Sequence, residues 1–176
     1  MAFWGNLDAQ PKRQHRFTMT FGKKGGQNQL PAWIVSSVTR PSMDISTVEH
    51  QYLNHTFKFP GRAKWNDISV TLKDPLKPDA GQELYKILSE AGYKPPTGGP
   101  QSPNIKETFT KSSFAATLGS ITIESLDAKG ATVETWVLFN PLIVNVNWGT
   151  FDYASEELVE ITLDIAYDFA QIEQLT

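Results

Sequence analysis

The 176 residues carry a formal net charge of −3, with 20% charged and 40% hydrophobic side chains, a balance that suits a folded globular chain and excludes wholesale disorder. Cysteine is absent, which excludes disulfides and thiolate metal sites and fits synthesis in a reducing compartment. No N-terminal apolar run resembles a signal segment and no run approaches the roughly 20 apolar residues of a membrane-spanning helix. The expectation is one domain over residues 1–176, with residues 1–15 as an N-terminal arm, made in a cytoplasm.

Charge is unevenly placed along the chain. Residues 1–40 hold six Lys/Arg against a single acid, Asp8, whereas residues 133–176 hold eight acids and no Lys or Arg. A subunit so divided is dipolar, and copies of it attract one another in a repeated orientation.

"HRFTMTF" sets Phe17, Met19 and Phe21 on one face and predicts a strand from near Arg16. The loop "GKKGGQNQLP" offers Gly22, Lys23, Lys24, Gly25 and Gly26, but without the P-loop spacing or its Lys-Ser/Thr pair it reads as a turn, not a phosphate cradle. Trp33 to Thr39 is a second strand, which "RPSMDIS" breaks because Pro41 cannot donate to a ladder. Val48, His50 and Tyr52 on one phase, Asn54 as a turn residue, and Phe57 and Phe59 on another predict a hairpin. "DISVTLK" aligns Ile68, Val70 and Leu72 on a single face.

One helix is predicted from Asp79, a capping residue followed three positions later by Gln82. Leu84, Ile87, Leu88 and Ala91 form its apolar stripe, and Gly92 stands where a left-handed cap is wanted. Residues 93–104 hold four prolines and two glycines and read as an exposed loop. "SFAATLGSITIESL" changes phase at Gly119, from Phe114, Ala116 and Leu118 to Ile121 and Ile123, predicting a strand with a bulge. "DAKGA" turns into the strand "TVETWVLF". Asn140 and Pro141 make a corner, and Leu142, Val144, Val146 and Trp148 share one face of the strand after it. In the closing strand "LVEITLDIAYDF" the odd positions from Val159 are apolar, while Glu160, Thr162, Asp164 and Asp168 line the other face. Eight or nine two-faced strands and one accessory helix give an all-β class of two packed sheets, a sandwich or barrel-like closure.

Chemistry is sparse. His15, His50 and His55 lack a third ligand on a shared surface, so no metal site is assigned. Asp164 and Asp168 sit on one strand face that carries no aromatic or Arg partner to make a glycosidase pair, and neither a Gly-x-Ser-x-Gly serine nucleophile nor a cysteine nucleophile occurs. No catalytic residue and no cofactor is expected. Trp33, Trp136 and Trp148 read as packing mass in strands, whereas Trp4 and Trp65 are the candidates for exposed anchors of a carbohydrate-binding sandwich, the distant alternative. Lys12, Arg13, Arg16, Lys23 and Lys24 form a basic patch without the aromatic interleaving of RNA-binding motifs.

Two stretches carry a resemblance: "FKFPGRAKWNDISVTLKDP" followed by a helix, and "VETWVLFNPLIVNVNWGTFDYASEELVEITLDIAYDFA". Together they resemble the tail tube protein of T4-like contractile-tailed bacteriophages: an extended strand pair before a Gly-Arg turn, a strand, a helix, and an ending of strand, Pro corner, strand, Asp/Ser-rich loop and last strand. "VSSVTRPSMDISTVEH" extends the likeness to most of the chain from about Arg16 to Ala170. The loops at 22–29 and 93–104 depart from it.

The resemblance implies two packed sheets with a flanking helix, in a hexameric ring whose inner sheets join into a continuous β-barrel. Rings would stack into the inner tail tube that conducts DNA from the virion without binding it specifically. Similar folds serve as baseplate tube initiators and as the inner tubes of type VI secretion and extracellular contractile injection systems, the nearer alternatives. Implied partners are further copies of the chain and the sheath, tube-initiator and tail-terminator proteins. Glu160, Thr162, Asp164 and Asp168 are the expected lumen-facing residues, and Arg13, Arg16, Pro41, Met43, Ile45, Val48 and Tyr52 the expected ring-stacking or inter-subunit residues.

Overall fold

The computed structural model describes residues 11–22, 30–96 and 108–174. Trp4, the Lys23 and Lys24 loop and most of the Pro-rich loop lie outside them. Among the described residues no helix is long and apolar enough to cross a membrane.

Among the described residues ten strands fall into two four-stranded sheets and a separate hairpin. The first sheet orders β1 (Phe17–Gly22), β6 (Ser120–Leu126), β7 (Thr132–Phe139) and β10 (Phe169–Gln174); the second orders β2 (Val35–Val38), β5 (Ile68–Lys73), β9 (Glu160–Ala166) and β8 (Leu142–Asn147). The two enclose one apolar cluster, to which the first sheet gives Met19, Phe21, Ile121, Ile123 and Leu138, and the second Ile68, Val70, Leu72, Ile161, Leu163 and Ile165. All of these but Leu138, whose strand was given no phase, sit on the alternation predicted from sequence, since side chains two apart in a strand share a face. The expected class of two packed β-sheets is what the chain adopts.

The predicted helix is α1 (Ala80–Glu90), capped as expected by Asp79, whose carboxylate accepts from the Gln82 amide at 2.8 Å. Asp74 adds a second carboxylate to the same turn, accepting from the Ala80 amide at 3.2 Å, a favourable charge at a helix N-terminus. Gly92 follows at φ +119°, where an added Cβ would stand 2.8 Å from the Thr108 carbonyl oxygen, so only glycine fits.

Four sequence expectations are corrected. Trp33 lies in a short 3-10 turn, Ala32–Ile34, and β2 begins only at Val35. Phe114 to Leu118 is not a strand but part of a second helix, α2 (Lys111–Leu118), capped by Thr110 and ended by Gly119 at φ +64°. Phe114, Ala116 and Leu118 satisfy a period of two, but the buried set is Phe114, Thr117 and Leu118, the spacing of a helix face. In β8 the register shifts between Ile143 and Asn145, so that Ile143 is buried and Val144 is 57% exposed, the reverse of the predicted phase for that pair. The fourth correction concerns the closing strand, which is two strands. β9 ends at Ala166 in one sheet and β10 starts at Phe169 in the other.

That break mirrors the one at Asn140 and Pro141, where β7 leaves the first sheet and β8 enters the second. A single antiparallel pair therefore runs through both sheets and bends at a corner, with Asn140 at φ +52° and the Asp168 amide donating to the Phe139 carbonyl at 3.1 Å. Asp168 ties the bend: its carboxylate accepts from Asn140 Nδ2 at 2.8 Å and from Lys111 Nζ at 2.6 Å. These hydrogen bonds, that from Lys111 foremost, hold its carboxyl below the ordinary carboxylate range.

Candidate assembly surfaces

The separate hairpin joins β3 (Ser42–Tyr52) to β4 (His55–Asn66). It belongs to neither four-stranded sheet, and every residue from Ser42 to Lys64, apolar ones included, is exposed. Pro41, where a break was expected, is the last residue before this strand, and the "Gly-Arg turn" of the resemblance is a bulge inside β4. Gly61 and Arg62 oppose the single residue Ser46, whose hydroxyl accepts from the Arg62 amide at 2.9 Å. In the outer half Val48 pairs with Phe59, His50 with Phe57 and Tyr52 with His55, giving one face of apolar and imidazole groups. Its opposite face carries the Glu49–Lys58 ion pair at 3.5 Å. Val48, Tyr52, Phe57 and Phe59 are all more than half exposed. The expected stacking residues thus divide: Val48 and Tyr52 belong to this face, while Met43 and Ile45 pair with Trp65 and Ala63 nearer the root.

At the other end of the second sheet lies a surface that the sequence reading passed over. β5 leaves the hairpin root at Ile68 and ends at Lys73, and the next amide, Asp74, donates to the Val159 carbonyl at 3.0 Å. The segment between β8 and β9 therefore flanks the end of β5 remote from the hairpin, about 20 Å away at 3.3 Å per residue. It projects Phe151 (91% exposed), Tyr153 and Leu158 beside Asp152, Glu156 and Glu157, with no cation between 149 and 160. Asp152 shapes it by accepting from the Ala154 amide at 2.9 Å. An open cleft of about 1100 Å³ runs from this segment to Lys73. The signal in the sequence was two aromatics inside a Gly-led, acid-rich loop.

The outward face of the second sheet carries polar residues on all four strands, Ser37 beside Thr71 among them, and Val144 stands exposed at the β8 bulge. Thr71 pairs with Thr162, Ser69 with Asp164, Asn145 with Asp164 and Lys73 with Glu160. Glu160 forms an ion pair with Lys73, and Asp164 accepts from Asn145 Nδ2 at 3.1 Å. Glu160, Thr162 and Asp164 thus share the face as expected, but Asp168 does not, because the corner carries it out of the strand. Of the acidic row, one carboxylate is offset by a lysine and another has left.

Arg13 and Arg16 lie away from the hairpin tip, lining a cleft of about 580 Å³ between the two sheets together with Lys12, Arg40 and Glu134. His50 and His55 are on the hairpin and His15 lines that cleft. Among the described residues no group of three or more His, Asp or Glu is placed to hold a metal ion.

No protein-family model matches the chain, and no curated protein matches it in sequence. Solved structures do match in fold. A chain of the sheath–tube complex of the PVC extracellular contractile injection system, in its extended state, superposes with a TM-score of 0.69 at 15% identity, covering 99% of both chains. A chain from the sheath/tube terminator of the same system gives 0.67 at 17% identity over 94% of this chain and 99% of the other. A chain of the tube-terminating cap of the anti-feeding prophage gives 0.66 at 17% identity over 99% and 100%. Likeness at such identity speaks to fold alone. This chain shares its fold with those chains of the sheath–tube, terminator and cap assemblies.

Proposed function

We propose that the chain is a structural subunit that forms rings and stacks them into the inner tube of a contractile, phage-tail-type particle. The observation that carries this reading is the pair of unlike surfaces at opposite ends of one sheet. A hairpin with exposed Phe57 and Phe59 and with Lys58, Arg62 and Lys64 leaves one end; an exposed aromatic loop with Asp152, Glu156 and Glu157 flanks the other. Surfaces that are complementary but not identical join head to tail, and such contacts propagate as filaments rather than closing as pairs. The likeness in fold to chains of sheath–tube and cap assemblies supports the same reading, with sheath, initiator and terminator proteins as partners and the particle as the place of residence. The whole chain acts in it as one domain, without catalysis.

The polar face of the second sheet is the lumen wall in this proposal. Its strand pairs present Ser, Thr and Asn, and the three charges Lys73, Glu160 and Asp164 sum to +1 −1 −1, or −1 per subunit. A wall of that kind is lubricating rather than strongly repulsive, and suits passage of nucleic acid or protein cargo without adhesion. DNA conduction in a phage tail and cargo delivery in an extracellular injection particle both fit it, and the sheath–tube likeness favours the second.

Electron microscopy of the purified chain over a range of concentration and salt tests the reading. Hollow rings that lengthen into tubes at low salt and shorten as salt screens the hairpin and loop charges are the expected result. Monomers in all conditions, even with a baseplate nucleus supplied, overturn it. A map with Glu160 and Asp164 on the outer surface overturns the lumen assignment.

A further inference from the structure

Between the mouths of the two sheets sits a carboxylate that neither the core nor the surfaces above account for. Glu134 lies on the inner face of β7, two residues from Trp136 and four from Leu138, and its side chain is only 6% exposed. A buried carboxylate is costly unless charge and hydrogen bonds accompany it. Here they come from three separate parts of the chain. Trp136 donates its indole Nε1 from the same strand, Lys12 reaches in from the segment before β1, and Arg40 reaches in from the link between β2 and β3.

Arg40 stands two residues before Ser42, where the hairpin begins. The other side of the hairpin root is fixed separately. Trp65 packs on Tyr167 with ring centroids 6.0 Å apart, and Asn66 Nδ2 donates to Asp44 Oδ2 at 2.9 Å across the root. Past this point the strand pair is exposed on both faces, so its direction is set where it leaves the body. Leverage makes the root angle matter: β3 is 11 residues long, and along about 35 Å of strand a tilt of about 10° moves the tip by about 6 Å. That displacement exceeds the spacing of packed side chains, and contacts with a neighbouring ring would be lost.

The geometry points to Glu134 as the positioning residue that aims the hairpin. By holding Arg40 from across the cleft between the sheets, its carboxylate ties the β2–β3 link of one sheet to β7 of the other and fixes the hairpin's exit angle. Lys12 is its second partner and secures the N-terminal segment, a separate task. The effect on ring stacking rests on the tube reading; the effect on hairpin direction does not.

The absence of native cysteine allows spin labels at Gln51→Cys on the hairpin and Ala128→Cys on the β6–β7 turn, with the distance distribution between them measured by pulsed electron resonance in the intact chain. Unmutated background should give one narrow peak. Glu134→Gln and Arg40→Gln should each broaden and shift it at unchanged circular dichroism, Arg40→Lys should restore it, and Lys12→Gln should leave it narrow. Electron micrographs of the same variants without labels should show rings that fail to stack for Glu134→Gln and Arg40→Gln alone. Superimposable distributions across all variants overturn the proposal, whereas a broadened hairpin that still stacks into tubes of normal length upholds the aiming role and overturns its consequence for stacking. Should the unmutated chain form no rings at all, the tube reading fails, while the distance measurement still decides whether Glu134 aims the hairpin.

Discussion

Strands β5 and β9 alternate buried and half-buried residues almost throughout, whereas β3 and β4, at 11 and 12 residues nearly twice as long, bury none of theirs. Both pairs are antiparallel and both are rich in apolar side chains. What differs is the second layer. Ile161, Leu163 and Ile165 face the other sheet, while Val48, Phe57 and Phe59 stand more than half exposed, with no second layer over them among the described residues. A lone two-stranded ribbon is marginally stable in water, and apolar surface kept on one is surface awaiting a partner. The body buries its apolar faces within the chain, whereas the hairpin keeps its own exposed, which in the proposed tube a neighbouring subunit would cover.

The largest effect should come from spoiling the hairpin's outer face. Phe57→Asp with Phe59→Asp should abolish stacking, seen as single rings or free subunits by electron microscopy, and should leave the thermal unfolding of the subunit nearly unchanged. Truncation in the body should do the reverse. Leu163→Ala, at a fully buried site, should cost about 2–5 kcal/mol, a large share of the roughly 5–15 kcal/mol that holds such a domain folded. Phe57→Ala should move the subunit's stability by less than about 0.5 kcal/mol, as exposed sites generally do. Denaturant unfolding of both variants tests the contrast, and equal losses would erase it.

How much of this was legible in the sequence follows from the same division. Period-two alternation placed Met19, Ile68, Val70, Leu72, Ile161 and Leu163 in the core correctly, because each belongs to a strand with one wet and one dry face. It failed where a short segment satisfied two periods at once, as at Phe114 to Leu118, and where a bulge reset the phase, as at Val144. It ran β9 and β10 together because the apolar alternation continues through Tyr167 and Phe169, although β9 ends at Ala166, Tyr167 lies in the corner and only Phe169 enters a strand, in the first sheet. Pairing across the chain is what ends a strand there, and a single sequence does not display pairing. Glu134 was readable in principle: on a strand where Trp136 and Leu138 point inward, a carboxylate two residues earlier must point inward too. The acidic loop at 149–160 was read only as a connector, since exposure of aromatics in a loop has no periodic signature.

The corner between the two sheets gives the smallest effect and the finest test of where body ends and bend begins. Asp168 was expected to belong to an acidic row, and instead its carboxylate holds Lys111 and Asn140 across the bend. Because these bonds favour the ionised form, its pKa in the folded chain lies below the ordinary 3.8. The sign follows directly: the stabilisation is complete above the unfolded-state pKa and is lost as pH falls through the folded one. Asp168 is solvent-accessible, so the ion pair is screened and its global contribution is small. The local consequence should be larger than the global one. On titration from pH 6 into the acid range, the protection factor, corrected for the intrinsic pH dependence of exchange, should fall first at the Asp168 amide, whose N–H bonds the Phe139 carbonyl, and at the start of α2, before the β5 and β9 amides respond. Asp168→Asn should remove that early acid step while leaving neutral-pH exchange in β5 and β9 unaltered. If β5, β9 and the corner instead loosen together, the bend is part of the core's own cooperative unit, and the line between the self-sufficient body and its adjustable edges lies at the hairpin root alone.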